Sequence, residues 1–104
     1  MEERAVQLIR ERLRSIALGA LAVLDSLSFA TYRVDFATLL LRDPQAAYKV
    51  LLAYQRSPHK ARLLLRSILL PFAQSATEVL EAIDALEKGD PEPLKQLINR
   101  LKKG

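Results

Sequence analysis

The chain has no cysteine, no tryptophan, one histidine and three glycines in 104 residues. Without cysteine there are no disulfides, thiolate nucleophiles or thiolate metal sites, and a reducing cytoplasm is the expected compartment. With His59 as its only histidine, one chain cannot build a histidine-based metal cluster, and no cofactor is expected. Scarce glycine leaves no Gly-rich phosphate loop, and neither HExxH nor GxSxG occurs. Long hydrophobic runs are also missing. The longest, Ile16 to Leu24, falls well short of the roughly 20 apolar residues a bilayer span needs. Arg10, Arg12 and Arg14 before this run and Ser28-Phe29-Ala30 after it imitate a signal peptide. Asp25 ends the run early, however, and the charged preface keeps a helical period. A soluble intracellular protein without a membrane partner is expected.

Leucine and alanine supply about a third of the residues, and both lose little freedom in a helix. No six-residue stretch alternates apolar and polar in the manner of a half-buried strand. The expected fold is therefore all-α, a single domain over 1–104 built as a bundle of five to six helices. Its first helix should run from about Glu2 to about Thr31. Val6, Ile9, Leu13, Ile16, Ala20, Val23, Leu27 and Ala30 recur at spacings of three and four, a heptad seam. From Ile16 to Leu24 every residue is apolar or glycine, so this half must be covered on all sides. It is either the central rod of the bundle or a self-association surface, with Ile16, Gly19, Ala20, Val23 and Leu27 as the candidate contacts.

Later helices are marked by their starts. Asp35 can cap a short helix from Phe36 to Leu41. Asp43-Pro44, Ser57-Pro58 and Asp90-Pro91 each pair a capping side chain with a proline at the first helical position, where its missing N–H costs nothing. They predict helices over 44–56, 58–70 and 91–102. Ser75 with Glu78 forms a capping box and Gly89 a stop, giving a helix between them. Pro71 either separates this helix from the previous one or kinks a continuous pair.

Charge is segmented along the chain. Between Pro44 and Thr77 there is no acidic residue, and Lys49, Arg56, Lys60, Arg62 and Arg66 are all basic. From Glu78 to Glu92 there are six carboxylates and one lysine. Arg56, His59, Lys60, Arg62 and Arg66 form a candidate anion- or nucleic-acid-binding set. His59, Arg62 and Arg66 fall within about 60° on a helical wheel, opposite the apolar stripe Ala61, Leu64, Leu65, Ile68 and Leu69. His59 and Lys60 occupy the positive end of the helix dipole, where a cation is disfavoured by roughly 0.3–1 kcal/mol. A bound anion would relieve that cost. Bulky leucines and the absence of interleaved aromatics argue against base reading, leaving sequence-independent phosphate contact. The competing arrangement pairs the basic face with the acidic helix of 78–92. Glu78, Glu81, Asp84 and Glu87 recur every three residues. Paired carboxylates can share acid and base roles, but such a row is far more often a solvated face, and no enzyme is expected.

The stretch from Tyr32 to Leu69 carries Asp43-Pro44, Tyr48 four residues after the proline, Leu52 and Tyr54 before a turn, then Ala61, Leu64 and Ile68. This pattern resembles small archaeal all-helical domains of uncharacterised biochemistry, described as signalling output domains. It covers about a third of the chain, and Ser57-Pro58 stands where the resemblance leads one to expect a glycine. The resemblance implies interaction or regulation without catalysis, and no site residues. The leading expectation is thus a small protein-interaction module, self-associating as a homodimer. The alternative is a nucleic-acid-binding accessory protein using the basic segment. A third reading is a small-ligand pocket near Tyr32, Tyr48 and Tyr54.

Overall fold

The helix that starts at Glu2 stops at Ile16. In the computed structural model, which describes residues 2–103, seven α-helices follow one another with short connections. They are α1 (Glu2–Ile16), α2 (Leu18–Tyr32), α3 (Phe36–Arg42), α4 (Pro44–Gln55), α5 (Pro58–Leu69), α6 (Ala76–Glu87) and α7 (Glu92–Lys103). A single 3₁₀ turn, Leu70–Phe72, stands between α5 and α6. No strand occurs among the described residues.

The expected long N-terminal helix is therefore two helices, and the count is seven rather than five to six. Ala17 leaves helical geometry, with φ −160° and ψ 73°. The chain then folds back. Arg10 Nη1 donates to Asp25 Oδ2 at 2.9 Å, whereas fifteen residues of continuous helix would hold the two about 22 Å apart. Asp25 also accepts from the Phe36 backbone N–H at 3.0 Å, and Arg10 reaches Asp35 Oδ2 at 3.4 Å. Two carboxylates and one guanidinium thus tie α1, α2 and the start of α3 together. The Asp25 and Asp35 carboxylates hold the Arg10 guanidinium in its charged form, raising its pKa, with the Asp25 hydrogen bond the largest cause.

α1 packs against α2, α3, α5 and α7, while α2 packs against α1, α3 and α4. α1 buries Ala5, Ile9 and Leu13 on one face. α3 buries five of its seven residues, including Phe36, which is wholly enclosed. Truncating Phe36 to alanine would leave a cavity costing about 3–5 kcal/mol. α5 buries Ala61, Leu65, Ile68 and Leu69, the stripe expected from its period.

Most of the helix boundaries follow from their caps. Asp35 accepts from Thr38 N, Asp43 from Ala46 N, Ser57 from Lys60 N and Ser75 from Glu78 N. Glu78 Oε1 reaches back to the backbone N–H of Gln74, one residue before the cap. Gly89 takes φ 92° just past α6, and Asp90 N–H closes onto the Ala85 carbonyl at 2.8 Å. α7 begins one residue later than expected. The Pro91 carbonyl accepts the first helical bond from Lys95, and Asp90 accepts from Glu92 N in an Asx turn. Pro71 separates α5 from α6, because the 3₁₀ turn runs into extended backbone at Ala73.

Candidate functional site

The basic segment is divided by its own helix. Ser57 caps α5 and Pro58 opens it, so the first turn presents His59 and Lys60 to solvent. Arg56 is also exposed. It ends α4 in the left-handed conformation, φ 57°, the position glycine most often fills. Arg62 lies elsewhere: Nη2 donates to Asp84 Oδ1 and Nη1 to Glu87 Oε1, each at 2.5 Å. The other oxygen of Glu87 accepts from the Tyr48 hydroxyl at 2.8 Å. Tyr48, Glu87, Arg62 and Asp84 are thus one polar chain joining α4, α5 and α6. Burial, and then the bond to Glu87, push the Tyr48 phenol up to about 12. The hydrogen bond that Arg62 donates to Asp84, followed by the charges of Glu87 and Asp84, raises the Arg62 pKa.

Arg66, one turn further on, is half-buried, and its Nε is enclosed without a hydrogen-bond partner. Of the five candidate anion-binding residues, Arg56, His59 and Lys60 are therefore exposed around the start of α5, Arg62 is engaged by Asp84 and Glu87, and Arg66 is half-buried. A shallow groove of about 290 Å³ runs along α5 past Lys60, Leu63, Leu64 and Ser67. Arg12 of α1 reaches this helix, its Nε donating to the Ser67 carbonyl at 2.9 Å. Nothing in the spacing of Arg12 signals that contact, which depends on how α1 crosses α5.

The acidic row is similarly occupied. Glu78 accepts from Arg100 of α7, Asp84 and Glu87 from Arg62, and Glu81 is exposed. Arg100, followed by the Gln74 N–H, holds the Glu78 carboxyl below the usual range. A cleft of about 570 Å³ between α1 and α3 is lined by Glu2, Glu3, Val6, Gln7, Thr38 and Arg42. Its rim carries the Glu2–Arg42 ion pair at 2.7 Å, and its hydroxyl, on Thr38, is committed to Asp35 at 2.6 Å. Tyr32 and Tyr54 are half-buried against the core, and the hydroxyl of Tyr48 is committed to Glu87. Among the described residues no group of three or more His, Cys, Asp or Glu is placed to hold a metal ion, and no helix is long and apolar enough to cross a membrane.

The second candidate surface lies on α2. Its buried arc is Ala20, Leu21, Leu24 and Ser28. The opposite arc, about 140° wide, carries Leu18, Gly19, Ala22, Val23, Ser26, Phe29 and Ala30, all exposed. Leu18 is 64% exposed, Phe29 52% and Val23 43%. No side chain of this arc carries a charge until Arg33, which caps the helix. Of the five residues expected to meet a second copy, Gly19 and Val23 face outward. Ala20 is buried, and Ile16 and Leu27 are half-buried against the core. The break at Ala17 is the reason: it resets the helical phase, so the seam drawn across a continuous rod is turned partly inward. It also leaves α2 covered on one side only, contrary to the expectation for an all-apolar segment.

No protein-family model matches this chain, and neither a curated protein nor a solved structure matches it.

Proposed function

We propose that this chain is a small helical protein-interaction module of regulatory type, without catalysis of its own, that self-associates through the outer face of α2. One observation carries the proposal. Leu18, Val23 and Phe29 stand substantially exposed on a helix face that bears no charge over four turns. Soluble monomers seldom present such a contiguous apolar face without an occupant. A second copy is the occupant that fits best. The chain is net positive, formally +4, so like charges oppose association over most of its surface. The α2 face is one place where two copies meet with no charge between them.

The magnitude sets the expected strength. Burying the exposed half of a Leu, Val or Phe side chain contributes about 1 kcal/mol. Three such side chains from each of two protomers contribute about 6 kcal/mol, near the lower end of the cost of association. Helix α2 is about 22 Å long, so a pair built on it alone lies at or below the roughly 1,000 Å² of a stable interface. The dimer is weak and concentration-dependent. Sedimentation equilibrium from about 10 µM to about 1 mM tests this: the mean mass should rise toward that of a dimer. A monomer mass throughout would end the proposal.

A second reading rests on Arg56, His59 and Lys60, exposed together around the Ser57-Pro58 turn. It makes the module an accessory nucleic-acid binder through phosphate contact. Titration with duplex DNA, single-stranded DNA and RNA at about 50 and 200 mM salt should then show binding that weakens steeply with salt. Absence of binding at the lower salt would dispose of it. For either reading, the cytoplasm is the compartment assumed.

A further inference from the structure

We infer that the second copy docks on α2 as an antiparallel two-fold helix pair, with Phe29 of each protomer seated over Gly19 of the other; the inference rests on the self-association proposed above. Gly19, Ala22, Ser26 and Phe29 follow one another at spacings of three, four and three along the exposed face, the repeat that keeps a seam turned toward a partner helix. Reversing this seam about the level of residue 24 maps it onto itself. Position 19 exchanges with 29, and 22 with 26. A two-fold axis there sets the largest side chain of the seam against the smallest, and Ala22 against Ser26, where two small residues allow close approach of the backbones.

Gly19 has no evident role inside its own chain. It lies in the first turn of α2 without a positive φ, and a Cβ built on it meets nothing within 4 Å. Glycine is a poor helix residue, and neither the backbone nor packing within the protomer requires it here. A large side chain arriving from outside does. Charge selects the same orientation. In a parallel pair Phe29 would face Phe29, the space over Gly19 would stay empty, and the exposed Arg33 at the end of each α2 would face its twin. The antiparallel pair moves the two Arg33 to opposite ends, and both orientations are compatible with a two-fold axis, so the fit of Phe29 over Gly19 and the placement of Arg33 decide between them.

Filling the hole tests the orientation. Gly19→Leu, Phe29→Ala and the double variant are compared with the unmodified chain by sedimentation equilibrium, with thermal unfolding recorded for each at a concentration where all are monomeric. Gly19→Leu should leave the monomer as stable as before or more so, yet weaken the dimer roughly tenfold or more by colliding with Phe29 of the partner. Phe29→Ala should also weaken it. The double variant should recover much of the loss of the first, because the new leucine then fills the space left by the missing ring. If Gly19→Leu dimerises as well as or better than the unmodified chain, the antiparallel pairing is wrong while self-association stands. If the unmodified chain never dimerises, the self-association proposal fails and takes this inference with it.

Discussion

Replacing Tyr48 with phenylalanine removes one oxygen from the polar chain that holds Arg62 away from the surface. The ring keeps its volume, so no cavity opens, and the change isolates the hydrogen bond from the hydroxyl to Glu87 Oε2 at 2.8 Å. A bond to a charged acceptor is worth about 1.5–3 kcal/mol when the acceptor is left dry. The Glu87 side chain is 31% exposed, so water replaces part of what is lost, and about 1 kcal/mol is expected at neutral pH. The pH dependence is more specific. Folding favours the neutral phenol, raising its pKa from 10.0 to about 12. A raised pKa contributes stability that is fully present below the unfolded value and lost as pH climbs toward the folded one. At pH 11 the unfolded phenol is mostly ionised and the folded one is not, which removes about 1.4 kcal/mol from the unmodified protein and nothing from the variant. Urea unfolding of both proteins at about pH 8 and pH 11 reads the difference directly. Other tyrosines and lysines titrate in both and cancel. The stability gap should close, or slightly reverse, at the higher pH. A gap of the same size at both pH values would refute the account of this network.

Three further perturbations follow from individual contacts. Ser28 is fully buried on the inner face of α2 with its hydroxyl unpartnered, so Ser28→Ala should stabilise the fold by about 1 kcal/mol. Calorimetry should then show a melting point higher by roughly 4–8 °C, and a lower one would mean that the hydroxyl is satisfied. Asp25→Asn removes the charge that Arg10 pairs with while keeping an acceptor for Phe36 N–H; its side chain is 18% exposed, and a loss of about 1–2 kcal/mol is expected. An unchanged urea midpoint would show that Asp35 alone suffices to hold Arg10. Glu78 has a carboxyl pKa lowered below 4.5 by Arg100 and the Gln74 N–H, so its contribution is present above that value and lost as pH falls through the folded pKa. Glu78→Gln should therefore lose less stability than the unmodified chain on acidification from about pH 5 to about pH 3; parallel acid limbs would contradict the pairing.

What was legible in the sequence was local chemistry. Asp43, Ser57 and Ser75 cap the helices they were expected to cap, because a short polar side chain ahead of a helix satisfies an orphan N–H wherever the helix later packs. The buried stripe of α5 was legible for a similar reason, since its period is set by the helix alone. The break at Ala17 was not. No proline marks it, and Gly19, two residues beyond, is only a weak helix-breaking signal among the good helix formers Ala and Leu; the helix ends because Ile9 and Leu13 on one side and Leu21 and Leu24 on the other enter the same core once the chain doubles back. That contact is tertiary and leaves no local signature. The candidate contacts suffer for the same reason: Ala20 and Val23 lie about 60° apart on α2, and once the chain doubles back the edge of the core falls between them, burying the first and exposing the second. Segmented charge correctly brought Arg62 to the acidic helix, but the wheel that grouped it with His59 could not register that α6 lies on that flank.

In the proposed dimer the outer face of α2, rather than exposed apolar surface in general, holds two copies together. Phe29 and Leu63 provide the comparison, being 52% and 44% exposed on α2 and α5 respectively. Sedimentation equilibrium on Phe29→Asp and Leu63→Asp, beside the unmodified chain and over the same concentrations, is the most direct measurement. Leu63→Asp should dimerise as the unmodified chain does, and Phe29→Asp should remain a folded monomer. A Phe29→Asp variant that still dimerises with unchanged affinity, or a Leu63→Asp variant that loses the dimer, would contradict the assignment of the interface to α2.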